Sequence, residues 1–263
     1  MVINPGRQIL LEVKNLTVRY RQRNGFGWRE KTVDALNDVS FFIHRGETLA
    51  LVGETGSGKS TIAMSILHFV SPDSGEILYS GEDVWKFKRA ELRAYHRKIQ
   101  PVFQNADESL NPRLKVRSML VDALVPALST EEKNRRIREY LSAVQLDEDV
   151  LDCFPHQLSG GQKQRVCIAR ALATESEMLI LDEAISSQDL SLQAHLLKLL
   201  SELKKKFSLT YLYISHDLET VRVIADRVGI IKDGRLIEIG EKDEIFNSPE
   251  EPYTQLLLER SRF

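Results

Sequence analysis

The sequence is 263 residues long, carries 36 Lys and Arg against 38 Asp and Glu for a formal net charge of -2, and is 42% hydrophobic. That length suits one large domain or two small ones with a sizeable core, and the near-neutral balance excludes both a disordered charged tail and a generic polyanion binder. Two cysteines, Cys153 and Cys167, are too few for a disulfide scaffold or a four-thiolate metal site and predict a reducing cytosol. No run approaches the roughly 20 apolar residues of a membrane span, and residues 1–7 lack the apolar core of a signal peptide. Work at a membrane therefore calls for a partner that holds the chain there.

Residues 9–20 alternate, with Leu11 and Val13 and then Leu16, Val18 and Tyr20 on single faces, and predict sheet. Residues 21–31 hold Gly25 and Gly27 among mixed charges and read as a hairpin excursion. A second strand pair is expected near 39–43 and 48–52, followed by a glycine-rich turn at 53–58 and a helix over 60–70. Helices over 89–97 and 130–145, the latter with Ile137, Leu141 and Val144 at helical spacing, make 90–158 a helix-rich insertion. Residues 178–181 and 209–214 are short apolar runs of the kind found in buried parallel strands, and Leu192, Leu196, Leu199 and Leu203 form the stripe of a helix between them. Runs at 228–231 and 236–239 joined through Asp233-Gly234 predict a hairpin. There is no internal repeat and no sustained heptad. The pattern is α/β: one P-loop nucleotide-binding core spanning 1–263, with an N-terminal antiparallel β-subdomain and the helical insertion.

Gly53-Glu54-Thr55-Gly56-Ser57-Gly58-Lys59-Ser60 matches G-x-x-x-x-G-K-[ST] between an apolar strand and a helix. Glycines let the backbone curl so that successive N–H groups face phosphate oxygens, and the helix N-terminus adds partial positive charge. Lys59 is expected to reach the β- and γ-phosphates, with Thr61 next to the loop, and Ser60 to ligate Mg²⁺. Leu179-Ile180-Leu181-Asp182-Glu183 delivers two carboxylates to the carboxyl end of a buried strand, where ligands of open α/β sheets bind. Asp182 suits the metal side and Glu183 the polarisation of an attacking water. Leu158-Ser159-Gly160-Gly161-Gln162 is a second anion-binding helix start, with Ser159 as its cap. One nucleotide does not need two such ends.

In that order, the P-loop, Gln104, residues 158–162, Asp182-Glu183 and His216 resemble the ATP-binding cassette ATPases over nearly the whole chain. In that family two cassettes pair head to tail, and the signature serine and glycines of one close on the nucleotide held by the other. The resemblance implies Gln104 as the switch glutamine that joins Mg²⁺ and water to the helical subdomain. It implies His216 as the switch histidine, Tyr20 as the ring that stacks on adenine, with Phe26 and Trp28 as rivals, and Asp189 as the last residue of the Ser-Ala-Leu-Asp loop. Ser187 and Gln188 depart from that loop's pattern.

Residues 103–113, with Asn111-Pro112-Arg113, are similar to the extended glutamine loop of the dipeptide, oligopeptide and nickel importer ATPases. Residues 249–258, with Pro252-Tyr253-Thr254, are similar to that group's tail. Ala184 and residues 189–194 lean toward the nickel and metallophore branch, and no iron–sulfur cluster is expected. The resemblance implies an ATPase using ATP and Mg²⁺ on the cytoplasmic face of the cell membrane, bound peripherally. Its expected partners are two membrane-spanning permease subunits, a second and non-identical ATPase, and an extracellular or periplasmic binding protein that carries a peptide, nickel or a metal chelate. Chromosome-maintenance ATPases place a long coiled coil between P-loop and signature, and translation-associated cassette proteins carry two cassettes per chain; neither pattern is present. The Lys- and Arg-rich run at 86–98 reads as a solvated face, and no nucleic-acid partner is expected.

Overall fold

A computed structural model describes residues 8–23, 30–184 and 190–260, without the side chains of 21–31. The strands are β1 (Ile9–Arg23), β2 (Glu30–His44), β3 (Thr48–Val52), β4 (Ser74–Tyr79), β5 (Glu82–Asp83), β6 (Ile99–Phe103), β7 (Met178–Asp182), β8 (Thr210–Ser215), β9 (Arg227–Lys232) and β10 (Arg235–Glu241). The helices are α1 (Lys59–Ile66), α2 (Arg89–Lys98), α3 (Ala106–Ser109), α4 (Val116–Ala123), α5 (Thr130–Ala143), α6 (Gly160–Ala173), α7 (Leu190–Phe207), α8 (Leu218–Ile224), α9 (Lys242–Asn247) and α10 (Pro252–Arg260). They form two compact units, one of Met1–Arg93 with Thr210–Phe263 and one of Ala94–Leu209.

In the first unit an antiparallel sheet runs in the order β2-β1-β4-β5. The alternation of β1 buries Leu11, Val13, Leu16 and Val18. It continues past the expected end: β1 and β2 stay paired to Arg23 opposite Glu30, so residues 21–23 and 30–31 of the expected excursion are strand arms. Residues 24–29 lie outside the described residues. β2 and β3 do not pair with each other, contrary to the expectation for 39–43 and 48–52. β2 pairs with β1, whereas β3 lies parallel to β8 and β9. The corner between them is fixed by Glu47, fully buried, which accepts from the His44 backbone N–H at 2.6 Å and from Arg227 Nη1 at 3.0 Å. Every residue of β3 and β8 is buried, as strands covered on both faces require.

The β9–β10 hairpin forms as expected, with Lys232 opposite Arg235 and Asp233 and Gly234 at φ 49° and 74°, the left-handed pair that a two-residue type I′ turn needs. Helix α1 stops at Ile66, short of Val70. His68 adopts φ 64°, and the Phe69 N–H reaches back to the Met64 carbonyl at 2.8 Å, a left-handed closure that satisfies the terminal carbonyls.

In the second unit β6 and β7 run parallel, and α6 packs against α3, α4 and α5. The buried face of α6 is Val166, Cys167, Ile168, Ala169, Ala171, Leu172 and Ala173, and α5 adds Ile137, Tyr140 and Leu141. Ser129 caps α5 by accepting from the Glu132 N–H at 3.2 Å. The apolar stripe of α7 lies further along than expected: Leu197, Leu199, Leu200 and Leu203 are buried, while Leu192 is exposed. Burial pushes the Cys167 thiol up to about 11, and both cysteines are free. Among the described residues no helix is long and apolar enough to cross a membrane, and no group of three His, Cys, Asp or Glu is placed to hold a metal ion.

Candidate functional site

The first unit builds the phosphate cradle from strand ends. β3 and β8 pair with Val52 opposite Ser215, so Gly53 and His216 leave the sheet side by side at its carboxyl edge. Gly56 and Gly58 adopt φ 84° and 108°, conformations that strain any residue with a Cβ. Packing makes the same demand. A Cβ on Gly53 would sit 2.1 Å from the Ile231 carbonyl oxygen, and one on Gly58 would sit 2.7 Å from that of Ala35. The hairpin turn closes the other side, since the Gly234 N–H donates to the Ser57 carbonyl at 3.0 Å. The loop is thereby held on both sides by its own chain, with the N-terminus of α1 facing into it.

Lys59 is buried, and its ammonium donates to the carbonyls of Gly53 at 2.7 Å and Glu54 at 2.9 Å and to Ser57 Oγ at 3.4 Å. A cation held by loop carbonyls at the start of a helix is a ready partner for phosphate oxygens. Tyr20, at the exposed end of β1, holds its hydroxyl 3.5 Å from Thr61 Oγ1 and leaves 41% of its surface open, so its ring is available for stacking beside the cradle. Its rivals Phe26 and Trp28 lie outside the described residues. His216 is exposed, ahead of Asp217, whose side chain caps α8 by accepting from the Glu219 and Thr220 N–H groups.

The second unit brings together Gln104, Asp182, Glu183 and the signature helix. β6 and β7 pair with Phe103 opposite Asp182, so Gln104 and Glu183 follow adjacent strand ends. Glu183 takes φ 49°, which for a residue with a long side chain costs on the order of 1–2 kcal/mol. Such strain collects where a side chain must face a particular way. Ser159 and Gln162 form a reciprocal capping box at the start of α6: Ser159 Oγ accepts from the Gln162 N–H at 3.3 Å, and Gln162 Oε1 accepts from the Ser159 N–H at 2.9 Å. Gly160 and Gly161 open the first turn.

Three contacts tie this helix to both strand ends. Gln164 Nε2 donates to the Ala184 carbonyl at 3.1 Å, Lys163 Nζ meets Asp107 Oδ1 at 2.5 Å, and Arg170 Nη1 reaches the Ser109 carbonyl at 2.5 Å. A cavity of about 270 Å³ lies among them, lined by Gln104, Asp107, Gly160, Lys163, Leu192 and Leu196. The sequence motifs give Lys163, Gln164 and Arg170 no role; their place directly after the signature is the available signal. Asp189 and its neighbours 185–188 lie outside the described residues.

Comparison with known proteins agrees with this geometry. A family profile described as ABC transporter matches residues 36–186. The chain is 43% identical over 253 residues to the oligopeptide transport ATP-binding protein OppF of Bacillus subtilis (strain 168), covering 95% of this chain and 81% of that protein. It is 41% identical over 254 residues to the dipeptide transport ATP-binding protein DppF of Escherichia coli (strain K12), covering 96% and 76%. Among solved structures, cbiO1 from Clostridium perfringens, part of the transporter complex cbiONQ, superposes with a TM-score of 0.79 at 30% identity, over 96% of this chain and 97% of that one. The ATP-binding cassette MJ0796, in a dimeric post-hydrolysis state bound to ADP and Pi, superposes with a TM-score of 0.77 at 30% identity, over 89% and 99%.

Proposed function

The chain belongs to the ABC transporter family, and from that premise we propose that it is the ATP-hydrolysing subunit of a peptide importer. It works on the cytoplasmic face of the membrane, attached to two permease subunits, beside a second and non-identical ATPase, with peptide delivered by a binding protein on the far side. The observation that carries the reading is a phosphate cradle closed by glycine-only contacts around Lys59, in a chain that also carries a capped signature helix. The oligopeptide and dipeptide relatives support peptide as the solute class; nickel and metal chelates rest only on Ala184 and residues 189–194.

In the proposed reaction a water oxygen attacks the γ-phosphorus, the bond to the β,γ-bridging oxygen breaks, and ADP departs. Glu183 takes the water's proton, and His216 orients the water. Lys59 and the backbone of Gly53–Thr61 hold the phosphates, and Tyr20 stacks on adenine. Ser60, Asp182 and Gln104 have the hard oxygen donors that would hold Mg²⁺, which when bound would supply charge neutralisation at the phosphates. Ser159, Gly160, Gly161 and Gln162, with Asp189, act on the nucleotide of the opposing cassette. Gln104 passes nucleotide state to residues 105–120, which dock the permease; the Lys163–Asp107 and Arg170–Ser109 contacts make that loop and α6 move together.

Glu183→Gln removes the base while keeping shape. With the partner subunits assembled, ATP turnover falls about 10²- to 10⁴-fold and ATP affinity stays within a few-fold, read by phosphate release and equilibrium binding. Equal turnover in wild type and variant overturns the assignment.

A further inference from the structure

The motifs that carry hydrolysis leave Gln164 without a part, yet it is the one amide side chain on the buried face of α6. Helical spacing sets it in a stripe with Ile168 and Ala171, where apolar residues are the rule, and it is only 7% exposed. A buried amide costs free energy unless it is hydrogen-bonded. Gln164 Nε2 donates to the Ala184 carbonyl at 3.1 Å, and Ala184 is itself buried, so the bond is shielded from competing water. Ala184 follows Glu183, whose φ of 49° persists only if the surrounding chain holds it. On the N-terminal side the pairing of β7 with β6 sets Asp182 opposite Phe103. On the C-terminal side the Gln164 bond holds the Ala184 peptide. The strained residue is clamped between a strand and the signature helix.

We propose that Gln164 is a positioning residue for Glu183: by fixing the Ala184 carbonyl it keeps the left-handed turn that aims the carboxylate. This rests on the reading of Glu183 as the base that takes the water's proton. The same bond links the base to the signature turn of its own chain. Gln164 lies about 7.5 Å along α6 from Ser159 at the rise of an α-helix, and Gly160, Gly161, Gln164 and Ala184 line one cavity. A shift of the first turn of α6, where the proposed pairing brings the opposing nucleotide, therefore reaches the base through one hydrogen bond. Lys59 and the phosphate cradle belong to the other compact unit, so loss of the bond acts on turnover and not on nucleotide affinity. A misplacement of about 1 Å in a reacting group costs on the order of 10²-fold in rate, and a lost positioning bond falls at or below that.

The test is phosphate release by the assembled transporter, with kcat and KM for ATP measured separately and melting followed on the free chain. Gln164→Met keeps the length of the side chain and removes the donor. The expected result is kcat lower by about 5- to 50-fold, with KM within about twofold of wild type. Gln164→Asn keeps the amide but ends one methylene short of the Ala184 carbonyl and cannot overpack. It is expected to show a loss of the same order, so the outcome does not hang on one variant folding. Ile168→Val, one turn further along α6, lowers melting without touching the bond and should keep wild-type kcat. The sharpest comparison is in the Glu183→Gln background, where Gln164→Met should cost no further activity, because a residue that acts through the base has nothing left to position. Wild-type kcat in both Gln164 variants, an equal loss in Ile168→Val, or multiplication of the two losses in the double variant overturns the proposal. Full turnover in Glu183→Gln alone overturns the base reading and this inference with it, and is distinguishable from all three.

Discussion

The phosphate loop and the signature turn are both glycine-bearing helix starts, but the fold constrains their glycines differently. Gly53 and Gly58 are required by their own chain, since a Cβ at either would meet a backbone oxygen below 3 Å, and Gly58 also takes a left-handed φ of 108°. Gly160 has no atom within 4 Å of where its Cβ would lie, and Gly161 meets only Leu192 methyl groups at 3.5 Å and beyond. Neither adopts a positive φ. Among the described residues, nothing about α6 uses a glycine at 160, and in a helix interior alanine is the more stable choice by about 1 kcal/mol. Glycine in the cradle is explained from within the chain; glycine in the signature fits the proposal that a paired cassette closes on it from outside.

Substituting the glycines one at a time breaks or sharpens that contrast. Gly58→Ala is expected to destabilise the chain by about 1–3 kcal/mol and to weaken its own nucleotide binding at least tenfold, seen by melting and titration. Gly160→Ala should leave melting and own-site affinity of the isolated chain at or slightly above wild type, yet depress ATPase activity once a second cassette is present. Loss of own-site affinity in Gly160→Ala would remove the distinction.

A smaller effect is expected where the second unit relies on side chains. Asp107 is 68% exposed and Lys163 14%, so a double-mutant cycle to alanine should return a coupling of about 0.2–1 kcal/mol. Exchanging the two charges should restore part of it. A coupling of zero would mean that the Lys163–Asp107 pair contributes nothing to holding the glutamine loop against α6.

Much of this was legible in the sequence because motif and periodicity coincide there. The buried strand before Gly53, the one before Asp182, the capped start at Ser159 and the Asp233-Gly234 hairpin each carry a local signal that the fold obeys. β6 was not legible: Gln100 and Pro101 interrupt its apolar run, and a proline is tolerated there because β6 is an edge strand. The register that sets Gln104 beside Glu183 is a long-range pairing without a local trace. The misplaced stripe of α7 has a plainer cause. Leucine spacing alone does not say where a helix leaves the core, and the first turn of α7, with Leu190 and Leu192, is exposed.

The central claim, that this chain turns ATP hydrolysis into peptide uptake, is tested most directly in proteoliposomes. They would hold the two permease subunits and both ATPases, with ATP on the side carrying this chain and the binding protein with labelled peptide on the other. The account predicts peptide accumulation that needs ATP and falls at least 10²-fold with Glu183→Gln. Accumulation unaffected by that variant, or ATP-driven uptake of nickel with none of peptide, would contradict it.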